Sequence, residues 1–387
     1  MIIGPEVTDS IELKFSALAR QMNAEGKTII SLGLGEPDFP TPQPIIDAAT
    51  QAMIAGRTRY SSPLGIGELR ARIAKKLADE NGIRARSGHI LVAPGAKMAL
   101  SLALGALLTP GDEVVVLTPC YPSYIPQAKL AEPKCVVRTL DLRADDFEID
   151  FEAMAGLLNA RTKAIIVNYP NNPTGKMLSR KNLEELVRLA SAHDCWIISD
   201  EIYEKLSFTG TQHLSPAAHD ELSGRTITIN GFSKAYSMTG WRIGYLHVPD
   251  EALLGLMSKL QQHHNTNTAT FIQHAALAAF DLPEDYLDAY NGQLAANHLA
   301  LEEMVAKNSR LSLVDSDGGL FAFLDISKTG VTADEFSTGL LEQGSVATIP
   351  GVVFGASWNR HIRISLATNC GEFLQGVECL GEFARGL

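Results

Sequence analysis

Short β-branched apolar runs recur along this chain, separated by helical segments, and each run stops at a polar or turn-forming cluster. ILVA (90–93) stops at Pro94-Gly95 and precedes a helix predicted over 97–108. EVVVL (113–117) stops at a Pro and Tyr cluster, and AIIV (164–167) stops at YPNNPTG. A helix is predicted over 179–193. WIIS (196–199) then ends at Asp200, and TITI (226–229) ends at NGFSK. This alternation implies a parallel sheet with crossover helices. Ligands of open α/β sheets sit beyond the carboxyl ends of the strands. Every unusual polar cluster of this chain lies at such an end.

The 250–310 segment reads as long helices, with an amphipathic run over 252–262. Strands predicted over 319–326, 345–349 and 361–366 suggest a second α/β unit. The first 45 residues are too Pro-rich and irregular to form a core alone. They are expected to join the C-terminal unit, because termini tend to lie close together. The expected fold is a three-layer α/β/α large domain with a mostly parallel sheet (46–285), plus a smaller α/β domain built from both ends (1–45 and 286–387). No internal repeat or low-complexity segment interrupts this plan.

The chain has 387 residues, with 33 Lys and Arg against 44 Asp and Glu, a formal charge of −11. That balance argues against a nucleic-acid binder, which normally carries a basic stripe. An anionic substrate stays open, because a few local cations can outweigh a remote negative field. Five cysteines (120, 135, 195, 370 and 379) are odd in number, spread out and without a CxxC pair. Neither a disulfide framework nor a metal site is expected, and a reducing compartment is the simpler reading. The first residues, MIIGPEVTDSIEL, lack the basic and apolar regions of a secretory signal. The longest apolar stretch, 98–108, is broken by Ser101 and Gly105 and falls short of the ~20 residues of a membrane span. A soluble, cytoplasmic protein is expected.

The polar clusters each admit two readings. In NGFSKAYSMTGWRIG (230–244), Lys234 follows Ser233, and Arg242 comes eight residues later. An amine at a strand end beside other cations can become a nucleophile, and a hydroxyl with a guanidinium suits a phosphate. An isolated Ser-Lys is far more often a surface pair. Asp200 ends a buried-looking strand with Tyr203 three residues on. The two can face one ligand, or Asp200 can simply cap a helix. PNNPTG (170–175) presents Asn172 to a cleft or is an ordinary loop. Gly95-Ala96-Lys97 opens a helix after a strand, as an anion site or as a plain connection. Glycine is too sparse there for a P-loop or a dinucleotide fingerprint. Tyr121 follows another strand end and can stack on a planar ring or pack in a core. Arg363, in HIRIS (361–365), shares a strand face with His361 and Ser365. It either grips a carboxylate or sits at an edge.

Together these clusters describe one ligand. A lysine forms an imine, an aspartate meets a ring nitrogen, Tyr and Asn meet a phenolic oxygen, an aromatic stacks, and a cradle holds phosphate. That ligand is pyridoxal 5′-phosphate, whose protein signature is a lysine Schiff base with a charged partner for the pyridine nitrogen.

From about Leu32 to Ala384 the chain resembles the class I/II aminotransferases of fold type I, in their aspartate aminotransferase-like branch. The resemblance rests on GEPDFPTP (35–42), YSSPLGIGELR (60–70), NNPTG (171–175), SDEIYE (199–204), SKAYSMTGWRIGY (233–245) and the late Arg363. It implies that Lys234 forms the internal aldimine and then shuttles the substrate proton. It implies that Asp200 keeps the pyridine nitrogen protonated, and that Tyr203 and Asn172 meet the ring oxygen. Tyr121 falls at the stacking position. The backbone of Gly95, Ala96 and Lys97, with Ser233 and Arg242, matches the phosphate site. Tyr60 corresponds to a tyrosine that reaches the neighbouring subunit's phosphate, which implies a homodimer with shared sites. Arg363, with Asn172 and the backbone of Gly35, matches the site for the substrate α-carboxylate. The implied reaction moves an amino group from an α-amino acid, acidic or aromatic, to a 2-oxo acid in ping-pong fashion.

Some residues depart from the family pattern. Leu320 in GGLF (318–321) replaces the usual aromatic and is expected to open the pocket. His263 and His264 stand where relatives carry small hydroxyl residues, facing an anion or solvent. Lys97 sits where some aspartate-using relatives place a cation for the distal carboxylate. In the 11–17 segment Leu13 and Phe15 are available to cover a substrate, but no arginine is. Two other readings share some of these features. A lyase or cyclase would use the same carbanion, and its products would differ. A cofactor-binding sensor domain of a transcription regulator would need a DNA-binding module, and only three scattered basic residues, Lys14, Arg20 and Lys27, precede Gly35.

Overall fold

The computed structural model describes residues 21–22 and 25–387. The 11–17 segment, with Leu13 and Phe15, lies outside the described residues.

The chain order is β1 (Ile30–Ser31), α1 (Gln43–Ile54), α2 (Gly67–Asn81), β2 (Ile90–Ala93), α3 (Ala96–Leu107), β3 (Glu113–Thr118), α4 (Tyr124–Ala131), β4 (Val136–Asp141), α5 (Phe151–Leu157), β5 (Thr162–Asn168), α6 (Arg180–His193), β6 (Trp196–Asp200), β7 (Thr226–Gly231) and β8 (Gly244–His247). There follow α7 (Glu251–His264), α8 (Thr270–Ala279), α9 (Asp288–Ala306), β9 (Ser312–Leu313), β10 (Phe321–Asp325), α10 (Ala333–Gly344), β11 (Val346–Ala347), β12 (Ile349–Pro350), β13 (His361–Ser365) and α11 (Cys370–Gly386). The α/β fold with a mostly parallel central sheet is as expected from sequence.

The large sheet has the order β2-β8-β7-β6-β5-β3-β4. β8 runs antiparallel to both its neighbours, and the other ladders are parallel. The alternation of apolar runs predicted the parallel strands. It did not reveal β8, which lies directly after the Lys234 loop and returns beside β7. Val114, Val115 and Val116 are fully buried on both faces of β3, because helices cover each side. One face of the sheet packs on α2 and α8 beside β2 and β8 and on α5 and α6 beside β3, β5 and β6; the other packs on α3, α4 and α7.

Amphipathic spacing and capping set the helix limits. In α6, Leu183, Leu186, Val187 and Ala190 recur at helical spacing on the buried face, and Ser179 caps the start by accepting from the Asn182 N–H. Asp250 caps α7 in the same way through the Leu253 N–H. Thr332 and Glu335 form a reciprocal capping box on α10.

A second sheet has the order β12-β13-β10-β9 and is antiparallel throughout. β1 pairs in parallel with β11, so Ile30 stands opposite Val346. The segment after β1 is therefore anchored beside the C-terminal elements. From there it runs over the Lys234 loop. Thr41 Oγ1 donates to the Ser237 carbonyl at 2.6 Å and accepts from Trp241 Nε1 at 3.1 Å. Among the described residues, no helix is long and apolar enough to cross a membrane.

Candidate active site

Five parallel strands (β2, β3, β5, β6 and β7) release their chains at one edge of the sheet. β8 begins at that same edge because it runs the other way. The edge opens into a cavity of about 520 Å³. Ala96 and Lys97 enter it from β2, Tyr121 from β3, Asn172 from β5, and Asp200 and Tyr203 from β6. Ser233 and Lys234 follow β7, and Arg242 precedes β8. Residues 146 positions apart in sequence thus line one space, because their strands share an edge.

One end of the cavity is built for an anion. Gly95 adopts φ +85° and ψ 159°, and no side chain caps α3. The first N–H groups of a helix have no intrahelical acceptor, and the helix dipole adds positive potential there. Arg242, itself at φ +56°, is held by a hydrogen bond from Nη1 to the Thr239 carbonyl at 2.9 Å. Its guanidinium lies against the Gly95 backbone.

The middle holds an acid and an amine. Asp200 is 8% exposed. Its Oδ2 accepts from Tyr124 Oη at 2.8 Å, and its Oδ1 from the Ile202 N–H at 3.3 Å. Burial pushes its carboxyl up to about 6, and these two donors and Lys234 pull the other way. Lys234 Nζ donates to the Gly35 carbonyl at 2.5 Å and lies 5.8 Å from the centre of the Tyr203 ring.

Behind Asn172, outside the cavity lining, stands Arg363, 2% exposed. Its Nη1 donates to Asn172 Oδ1 at 3.1 Å, and its Nη2 to the Gly33 carbonyl at 2.9 Å. Its guanidinium is 4.0 Å from the centre of the Phe321 ring and 4.9 Å from that of Phe354. Asn172 Nδ2 also faces Tyr203 Oη at 3.5 Å. A buried guanidinium set against two rings and held by neutral acceptors suits a carboxylate.

The structure brings most of the predicted residues together and separates a few. Gly35 is at the site through its carbonyl, which meets Lys234, while Gly33 supplies the carbonyl that meets Arg363. Leu320 lies fully buried in the core, and Phe321 is the ring beside Arg363. The expectation that Leu320 opens the pocket is not met: Leu320 and Phe321 are buried in the same cluster and neither lines the cavity, although the Phe321 ring lies against Arg363. His263 and His264 are exposed on the last turn of α7 and do not line the cavity. Tyr60 is 86% exposed and lines a separate open groove with Arg59, Asn267 and Phe271. Buried Gln261 holds that groove's loop, donating to the Val92 carbonyl at 2.8 Å and to the Pro63 carbonyl.

Sequence reasoning missed Tyr124 and Asn168, which also line the cavity. Asn168 Nδ2 donates to the Asp200 carbonyl at 2.9 Å, and its Oδ1 accepts from the Asn172 N–H at 2.9 Å. The signal for Tyr124 was its place three residues after Tyr121, one helical turn away.

This arrangement has known counterparts. The family model of aminotransferase class I and II matches residues 27–375. An aspartate aminotransferase of Geobacillus stearothermophilus is 36% identical over 97% of this chain and 96% of its own length. An arginine–pyruvate transaminase of Pseudomonas aeruginosa is 36% identical over 92% of this chain and 89% of its own. The solved structure of the Thermus thermophilus aspartate aminotransferase with maleate superposes with a TM-score of 0.92, at 33% identity, covering 97% of each chain. These relatives do not favour the lyase or cyclase reading. A chain matched along almost its whole length, with amine, acid and guanidinium on one cavity, belongs to the class I and II aminotransferases and is an aminotransferase.

Proposed function

We propose that this chain binds pyridoxal 5′-phosphate in the cavity and moves an amino group from an acidic α-amino acid to a 2-oxo acid. The observation that carries the reading is the meeting of Lys234, Asp200, Lys97 and Arg242 on one cavity, with Arg363 joined to it through Asn172.

The residues fit the cofactor on three independent grounds. A buried carboxyl raised to about 6 gains from a cation placed against it, as a protonated ring nitrogen is. The uncapped start of α3, with Ser233 and Arg242, suits a phosphate. Tyr121 offers an aromatic face beside Asp200's donor Tyr124, the two rings being 5.5 Å apart and edge-on.

When bound, the cofactor supplies an electron sink for the carbanion formed at the substrate Cα. Asp200, ionised, holds the proton on the ring nitrogen. Lys234 Nζ, once it is a neutral amine, would take the proton from the substrate Cα and give it up at the cofactor's C4′ in the same half-reaction. Asn172 and Tyr203 present an amide and a phenol hydroxyl toward the ring oxygen. Arg363 takes the α-carboxylate with its two Nη groups, a geometry that also aligns Cα for the base.

The acidic donor is favoured by Lys97. It lines the cavity with its Nζ 5.5 Å from the centre of the Tyr121 ring. That provides a second cation for a second carboxylate. The Thermus thermophilus relative was solved with maleate, a dicarboxylate, and the Geobacillus stearothermophilus relative is named for aspartate.

The chain works as a homodimer with shared sites. Tyr60 lies outside its own cavity and is available to a second copy's phosphate site. Within each chain, residues 46–285 form the large unit, and both ends form the small one, a division supported by the β1–β11 pairing. The five free cysteines fit a reducing cytoplasm.

The test is spectroscopic. Purified chain mixed with the cofactor should develop an absorption band near the visible edge, which shifts when L-aspartate is added. A 2-oxo acid should then restore it. Lys234→Ala should abolish the cycle. A Lys234→Ala variant that completes both half-reactions at the normal rate overturns the assignment. A shift with aromatic but not acidic amino acids overturns the substrate class alone.

A further inference from the structure

Tyr124 is not among the residues that the family resemblance assigns, yet it makes the shortest side-chain hydrogen bond to the site's acid, 2.8 Å from Oη to Asp200 Oδ2. It is 2% exposed. Its backbone N–H bonds to the Tyr121 carbonyl at 3.1 Å, so the turn leading into α4 ties the two aromatic residues together. The Tyr121 ring meets the Tyr124 ring edge-on. Elsewhere around Asp200, the neighbouring charged groups are Glu201, which disfavours its ionised form, and Lys234, which favours it.

We infer that Tyr124 is a positioning residue: its hydroxyl orients the Asp200 carboxylate toward the cofactor ring nitrogen while the same turn sets the Tyr121 ring face. This rests on the cofactor assignment above. The physical case is simple. A carboxylate has two oxygens, and a donor on one fixes the direction of the other. A hydrogen bond to a charged group in a buried site is among the stronger kind. The Ile202 N–H at 3.3 Å is a longer contact on Oδ1, so Tyr124 is the main constraint on carboxylate rotation. Asn168 fixes the Asp200 backbone and leaves the carboxylate free to turn.

The experiment is a binding cycle. Cofactor dissociation constants are measured for wild type and Tyr124→Phe, with pyridoxal 5′-phosphate and with its 1-deaza analogue, in which a carbon replaces the ring nitrogen. Tyr124→Phe should weaken the natural cofactor by about tenfold or more, the range for losing one hydrogen bond to a charged group. It should leave the affinity for the deaza analogue unchanged, because nothing there answers to Asp200. In an Asp200→Asn background the Tyr124→Phe penalty should vanish for both. With amino acid, kcat should fall while KM stays near the wild-type value. An equal loss with both cofactors makes Tyr124 a packing residue and overturns the inference, as does no loss with either. A wild-type chain that fails to bind pyridoxal 5′-phosphate overturns the function itself, and this inference with it.

Discussion

The guanidinium of Arg242 leaves no room for a side chain at residue 95: a Cβ on Gly95 would stand 2.3 Å from Arg242 Nη2 and 2.8 Å from its Cζ. Gly95 also occupies φ +85°, ψ 159°, a region that essentially only glycine enters. Two demands, strain and space, coincide where the β2 end becomes the uncapped start of α3.

Gly95→Ala should therefore cost stability and displace Arg242 as well. The backbone cost is about 1–3 kcal/mol, read as a loss in urea-unfolding free energy. Cofactor affinity should drop further, because Arg242 is pushed from the phosphate end. Gly111→Ala is the control, since Gly111 has φ +91° and a Cβ there would meet nothing within 4 Å. It should lose stability alone and keep its cofactor affinity. Equal affinities in the two variants would contradict the assigned role of Arg242.

Asp200 trades stability for function. Its carboxyl sits at about 6, raised mainly by burial, against an ordinary value near 3.9. A raised folded-state value means that stability is fully present below about pH 4 and is lost as pH rises through 6. Asp200→Asn removes that loss. Without cofactor at pH 8, the variant should exceed wild type by up to about 3 kcal/mol, and the two should converge below pH 4. Saturating cofactor should reverse the order, because a cation against the carboxylate favours its ionised form. Urea unfolding at pH 4 and pH 8, with and without cofactor, reads all four values.

The extent to which this site was legible in the sequence follows from the range of the interactions involved. The strand ends were legible because β-branched runs stop abruptly at Pro, Gly, Asn and Asp, a purely local signal. Lys234, Asp200 and Asn172 each lie within a few residues of such a stop, so their shared edge could be anticipated, whereas Arg363 sits mid-strand on β13 of the second sheet and carries no such signal. The order β2-β8-β7-β6 was not legible, since strand pairing is settled by contacts far apart in sequence. That is why β8 went unrecognised, although it places Arg242 beside Gly95. The carbonyls facing Arg363 and Lys234 belong to Gly33 and Gly35 respectively. This assignment depends on how the segment after β1 crosses the site, which no local pattern encodes. Tyr124 escaped notice because its value lies in a bond to a residue 76 positions away.

His247 should make the fold sensitive to acid. It lies on β8, 2% exposed, opposite Ile90 on one side and Thr228 on the other. Neither ring nitrogen has a hydrogen-bond partner among the described residues, and the His89 ring is 5.8 Å away. Burial, then His89, pushes its imidazole down to about 4. A lowered value for a base means that stability is whole above pH 6.5 and is lost as pH falls through 4. His247→Leu should remove up to about 3 kcal/mol of that acid-side loss. Unfolding free energies at pH 7.5 and pH 4 for the two proteins give the difference. An unchanged pH dependence in the variant would place the acid-sensitive group elsewhere.

Lys97 and Arg363 should fail in different ways when altered. Arg363 is buried and its fork is held by Asn172 and the Gly33 carbonyl, and the proposed function gives it the carboxylate that every α-amino acid carries. Arg363→Lys keeps the charge and loses the fork, so kcat/KM should fall for all amino acids alike, by about a hundredfold. Lys97 is exposed at the rim of the cavity, where the proposed function pairs it with the second carboxylate of an acidic substrate. Lys97→Ala should therefore cut kcat/KM for aspartate by about ten- to hundredfold and leave a neutral amino acid such as alanine near its wild-type value. The ratio of the two substrates, measured in each variant, separates a specificity contact from a general one. An equal loss on both substrates in Lys97→Ala would assign Lys97 to the phosphate end with Arg242, since the helix start that carries it also faces that anion.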